Sequence, residues 1–259
     1  MPVRPDRKAR MGVVAAVVYI TIAAIGMAYS ARQGITYGNA DMLDAFWPFL
    51  IVLNLVNVGF VVRCFGWTNV GFGRLQVRQM VWFLPFLALL AYKWVVALGA
   101  MSAFPAKSPE WGRFAYFGAV IVMVGIGEEL AFRGILLHSF LGEGASRGRV
   151  ALAMLVSAVG FSLLHSINYF GGESLPATVE QMGYTFLWGL MFAPLMLRLK
   201  SIVPLMVAHW LWDFVQFTVF LSGEMAIIKY DGLQYPIELG MGLVLWFLVL
   251  KDHGKPGAA

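Results

Sequence analysis

Among the ionisable residues inside the apolar stretches of this sequence, six have types and spacing that could do chemistry together. The first group reads Gly125-Ile126-Gly127-Glu128-Glu129-Leu130-Ala131-Phe132-Arg133-Gly134. Glu129 and Arg133 are four apart with the acid first, the favoured order for a helical ion pair. In a low dielectric neither charge is tolerated alone. Glu128 lies about 100° around a helix from Glu129 and is left without a local partner. A carboxylate placed that way is a candidate general base. The competing reading is a structural polar cluster between helices, but one arginine needs only one acid.

Two histidines join these acids. One closes the run Phe161-Ser162-Leu163-Leu164-His165, and the other opens His209-Trp210-Leu211-Trp212-Asp213. His209 and Asp213 are four apart and therefore share a helical face. At about 1.5 Å rise per residue, Glu128, His209 and Asp213 fall near the middle of their apolar runs. His165 comes out about 7 Å toward one end of its run. Each such group inside a bilayer needs a reason, and three runs can aim these four into one polar cavity.

The elements that must position them follow from composition. The chain has 259 residues, 60% hydrophobic, 15% aromatic and 13% charged, with a mean hydropathy of +0.75. That excess of apolar residues over the usual globular composition excludes a disordered chain, a nucleic-acid-binding module and an ordinary soluble enzyme. Apolar runs fall at about 11–31, 43–63, 79–101, 114–140, 150–170, 178–198, 201–222 and 234–250. The expected fold is an all-α membrane bundle of about eight transmembrane helices, forming one integral domain over 1–259. Of the 19 lysines and arginines, thirteen lie at the termini and in the turns after spans 2, 4 and 6. Four (Arg32, Lys107, Arg113 and Lys229) lie in the opposite loops. By the positive-inside rule both termini are expected in the cytoplasm. The basic N-terminus resembles a signal peptide, but the run from Met11 to Ala31 is too long, so it reads as an uncleaved first span.

Smaller features carry their own expectations. Lys93 lies within snorkelling reach of the outer interface. Asn54 and Asn57, one turn apart, read as interhelical hydrogen-bonding residues rather than ligands. Gly125, Gly127 and Gly160 could permit bends. The segment Gly66–Gln76 reads as lying along the interface rather than spanning. Cys64, the single cysteine, excludes an internal disulfide and a cysteine-based metal cluster.

Taken in order, Glu128-Glu129-x-x-x-Arg133, Phe161-x-x-x-His165 and His209-x-x-x-Asp213 resemble the EExxxR, FxxxH and HxxxN/D motifs of one family. It is the CAAX prenyl endopeptidase and bacteriocin-processing group (CPBP or Abi) of glutamic-type intramembrane proteases, and the resemblance covers roughly 112–222 as a catalytic core. It implies an endopeptidase that needs no metal or other cofactor and takes a peptide substrate in the membrane. Glu128 with His165 would activate water, His209 and residue 213 would stabilise the oxyanion, and Glu129 with Arg133 would hold the site's shape or contact substrate. The ras-converting members have Asn where this chain has Asp213. Either a protonated Asp213 donates directly, or an ionised one keeps His209 protonated. Some relatives act instead as bacteriocin self-immunity proteins or scaffolds.

Other chemistries leave weaker traces. No HExxH occurs, although His165, His209 and an acid could hold zinc. Gly125-Ile126-Gly127-Glu128 is a faint match to GxGD aspartyl proteases, and Ser162 beside His165 is no serine-protease site by itself. The inverted repeats of a transporter are not seen. Short loops and one cysteine favour a prokaryotic cell membrane.

Overall fold

The computed structural model describes residues 5–39, 41–102, 111–142, 144–222 and 232–253. Among the described residues eight long helices follow one another: α1 (Pro5–Arg32), α2 (Met42–Phe60), α3 (Leu84–Ser102), α4 (Trp111–Glu129), α5 (Arg147–Leu164), α6 (Leu175–Leu199), α7 (Val203–Ser222) and α8 (Gln234–Asp252). No strand occurs among the described residues. These helices coincide with the eight predicted runs. Five segments are long and apolar enough to cross a membrane: Arg7–Arg32, Met42–Phe65, Val77–Gly99, Arg147–Tyr169 and Leu175–Leu199. The outer surface is correspondingly apolar, with Val95 70% and Phe247 64% exposed. Such a belt is stable in lipid and aggregates in water. The chain is a multi-pass membrane protein.

Local sequence explains the helix ends. Ser146 and Ser174 cap α5 and α6, their hydroxyls accepting from the amides of Arg149 and Ala177, the usual way of satisfying free first-turn donors. Lys200 ends α6 in the left-handed conformation at φ 55°. The segment after α2 does not span, as expected. It forms a short 3₁₀ turn, Thr68–Val70, and pairs under the α6–α7 junction. There Gln76 N–H donates to the Leu199 carbonyl and Ile202 N–H to that of Gly71.

Helix α4 lies against α2 and α7, while α6 lies against α5 and α8. Asn54 and Asn57 do bridge helices, donating to the carbonyls of Met123 at 2.9 Å and Gly127 at 2.8 Å. Indole N–H groups do the same work. Trp210 donates to Gly118 and Trp246 to Leu190, both at 2.9 Å. In lipid, where apolar burial gives helices no preference for each other, such bonds and close contacts hold them together.

Two expectations are corrected. Gly125 and Gly127 serve close approach rather than bending. A Cβ on Gly125 would stand 3.0 Å from the backbone of Met206 and Trp210, and one on Gly127 would meet Tyr19 and Asn54. The departure from α geometry comes just after them, in a π-helical stretch, Leu130–Leu136. Lys93 does not snorkel. It is 3% exposed, its ammonium donates to Gln234 Oε1 at 2.8 Å, and it lies 4.3 Å over the Trp212 ring. Gln234 in turn donates to the buried Glu238 at 3.0 Å. Helices α7 and α8 close over Lys93 and supply partners, so no path to the interface is needed.

Lys93→Met is expected to lower the thermal midpoint of the detergent-purified protein, because Glu238 stays buried without its bridged cation, at a cost of roughly 3–5 kcal/mol. Lys93→Met with Glu238→Leu should recover most of it. A single variant as stable as wild type would return Lys93 to the interface.

Candidate active site

Glu129 and Arg133 are both wholly buried on one face of α4 and its π extension, with Oε1 accepting from Nη1 at 3.1 Å. The same Oε1 lies 2.7 Å from His209 Nδ1 on α7. A carboxylate only accepts, so His209 donates from Nδ1. Arg133 Nε and Nη2 have no hydrogen-bond acceptor among the described residues. The guanidinium instead lies 3.9 Å over the Phe161 ring and 5.6 Å from that of Phe192. Cation–π attraction of this kind grows when the cation is desolvated.

Phe161 therefore does more than mark a motif. Its ring also meets His165 edge-on at 4.9 Å and His209 at 5.8 Å between centroids. One aromatic thus seats the arginine and both histidines. Sequence spacing signalled the residue without revealing this role, which depends on α4, α5 and α7 meeting.

His165 is the first residue past α5 and opens the 3₁₀ turn His165–Tyr169. Its Nδ1 lies 2.9 Å from the Phe161 carbonyl. A carbonyl has no proton to give, so Nδ1 carries the hydrogen, and in the neutral ring Nε2 keeps its lone pair. On α7, His209 Nε2 lies 3.4 Å from Asp213 Oδ2 and 3.7 Å from Glu128 Oε2. The i, i+4 spacing read from sequence is realised, whereas the bond from His209 to Glu129 was not anticipated. Its only sequence signal was the 100° divergence of two adjacent acids.

Glu128, His165, His209 and Asp213 line one cavity of about 160 Å³. Glu129 and Arg133 lie behind it. Much of the wall comes from outside 112–222: Tyr19 and Met27 on α1, Leu50 on α2 and Tyr37 in the loop between them. Gln181, Trp188 and Trp212 complete the side formed by α6 and α7. These wall residues carried no motif and are found only through the fold. The π stretch begins directly after Glu129, and such distortions recur at functional sites. Among the described residues no group of three or more His, Cys, Asp or Glu side chains is disposed to hold a metal ion.

All three motifs now sit in one place. Residues 110–215 match the family model described as Rce1-like, type II CAAX prenyl endopeptidase. The match spans α4 to α7 and contains every motif residue, close to the 112–222 expected from sequence. It supports a CAAX-type, protease-like function. No curated protein matches the chain. The wall built from α1 and α2 lies outside the matched segment.

Glu129→Gln keeps the shape but removes the charge that Arg133 and His209 share. It is expected to lower stability by roughly 3–5 kcal/mol, read as the thermal midpoint in detergent. A Glu129→Gln protein as stable as wild type would show that the buried Arg133 does not depend on this charge.

Proposed function

We propose that this chain is a glutamic-type endopeptidase embedded in the membrane, hydrolysing a peptide bond of a membrane-associated or C-terminally processed substrate. The observation that carries the reading is that Glu128, His165, His209 and Asp213 line one cavity within the segment matching the Rce1-like family. The whole of 1–259 acts as one integral domain with 112–222 as its catalytic core, in the cell membrane of a prokaryote.

The chemistry follows from the donors and acceptors present. Glu128 Oε2 has no hydrogen-bond partner among the described residues, and His165 turns a lone pair on Nε2 to the same cavity. Together they orient one water. Its oxygen bonds to the scissile carbonyl carbon while its proton passes to Glu128, the general-base step. The oxyanion is met by His209 Nε2–H, with the ring held through Nδ1 by Glu129. A preorganised donor of this kind needs no reorganisation as charge develops. When the C–N bond breaks, Glu128 returns the proton to the departing amine. The products are an acid and an amine, and no further reactant is needed. Asp213, 3.4 Å from His209 Nε2, favours the reading in which both nitrogens of that ring act as donors.

Glu128→Gln keeps size and hydrogen bonding but cannot accept the proton, so turnover should fall about 10²–10⁴-fold with folding unchanged. The test compares membrane proteomes of cells carrying each form, looking for a product that goes uncleaved. Near-wild-type processing would end this assignment and favour a self-immunity or scaffold role.

At position 213 an amide can donate to the oxyanion directly. Asp213→Asn should therefore keep cleavage within about tenfold, while Asp213→Leu, which supplies neither a charge to His209 nor a donor to the oxyanion, should lose about 10²-fold or more. Initial rates in proteoliposomes decide between them.

A further inference from the structure

One face of α6 is polar where it meets the cavity. Gln181, Tyr184, Thr185 and Trp188 recur at helical spacing and all line it. From Gln181 to Trp188 is about 10 Å along the axis at 1.5 Å per residue. Trp188 marks the catalytic end, its ring 5.5 Å from that of His209, and its buried Nε1–H has no acceptor among the described residues. Gln181 marks the other end. There Asn168 Nδ2 donates to Gln181 Oε1, and Gln181 Nε2 donates to Tyr37 Oη, both at 2.7 Å.

These three side chains come from separate elements, and two are almost wholly enclosed: Asn168 is 4% and Gln181 9% exposed. Two primary amides and a phenol offer more donors and acceptors than they use on each other. Buried polar groups are costly when left unpaired. The phenol oxygen already accepts from Gln181, so its own proton remains to be given. The cluster is uncharged and shares the cavity with Glu128 and Asp213. A free carboxylate is repelled there, whereas a peptide amide, which both donates and accepts, fits.

The geometry points to Tyr37, Gln181 and Asn168 as a substrate subsite that grips a backbone amide about three residues from the scissile bond. An extended chain advances about 3.3 Å per residue, so three residues span the 10 Å from the His209 end to Gln181. The substrate lies extended along α6, and this inference rests on the protease reading above. Asn168 stands three residues after His165 in the 3₁₀ turn, where residues three apart eclipse. The water-orienting histidine and the subsite therefore share one rigid turn. Tyr37 belongs to the α1–α2 loop, docked by its own N–H on the Gly171 carbonyl at 2.7 Å. A segment outside the matched family region thus sets substrate register.

The test uses the full-length protein in proteoliposomes and a quenched, prenylated CAAX-type peptide, with a series N-methylated at single backbone nitrogens. Methylation at the third residue from the cleaved bond should raise KM roughly threefold to tenfold with kcat unchanged, the scale of one hydrogen bond. Gln181→Leu should raise KM for the unmethylated peptide by a similar factor and lose the discrimination against the methylated one, whereas Tyr37→Phe, which removes a donor to the substrate carbonyl, should raise KM for both peptides alike. Tyr37→Phe removes only the O–H, so it reads the subsite even if Gln181→Leu fails to fold. Glu128-dependent cleavage with KM unchanged in Tyr37→Phe would overturn the subsite alone. So would a series in which only amidation of the terminal carboxylate matters. Absence of Glu128-dependent cleavage would overturn the protease reading and the subsite with it.

Discussion

Arg133 is enclosed on every side, and a guanidinium taken out of water is costly unless charge and geometry answer it. Much of the centre of this protein is organised by that requirement. Glu129, one turn earlier, supplies the countercharge, and Phe161 from α5 and Phe192 from α6 supply ring faces. The carboxylate that neutralises the arginine also receives His209 Nδ1 from α7. An interaction that stabilises the bundle thereby fixes the ring orientation of a candidate catalytic histidine. Stability and positioning share the same atoms, so neither is separable by a single substitution at Glu129.

The two adjacent acids differ by direction rather than by chemistry. Consecutive helical residues diverge by about 100°, which turns Glu129 into the packed core and Glu128 into the cavity. The π stretch from Leu130 to Leu136 follows at once. Gly125 and Gly127 let α7 and α2 approach the same helix closely. Helix α4 is therefore crowded on two sides and opened on a third, toward the cavity.

A second polar assembly repeats the logic at smaller scale. Lys93, Gln234 and Glu238 tie α3 to α8, with the ammonium over Trp212. Trp212 also lines the cavity, so the wall opposite α1 is braced from behind by charge. In both assemblies an aromatic face and a bridged carboxylate take the place that water would have outside the membrane.

Composition alone determines the class of this molecule, since an apolar surplus of this size is soluble only in lipid. Eight runs near the membrane's thickness mark eight helices, and i, i+4 spacing marks the pairs Glu129–Arg133 and His209–Asp213, because both are local properties of a helix. Asn54 and Asn57 were legible for the same reason: a polar amide in an apolar span must find a partner. What the tertiary structure decided is which helices meet. The bond from Glu129 to His209 spans 80 positions, and no periodicity encodes it. Lys93 was misread because a snorkelling lysine and a paired one look alike until α8 is placed beside it. The cavity wall from α1, α2 and the Tyr37 loop carries no motif at all. Its residues are ordinary in sequence and become part of a site only through long-range packing, which spacing along the chain cannot express.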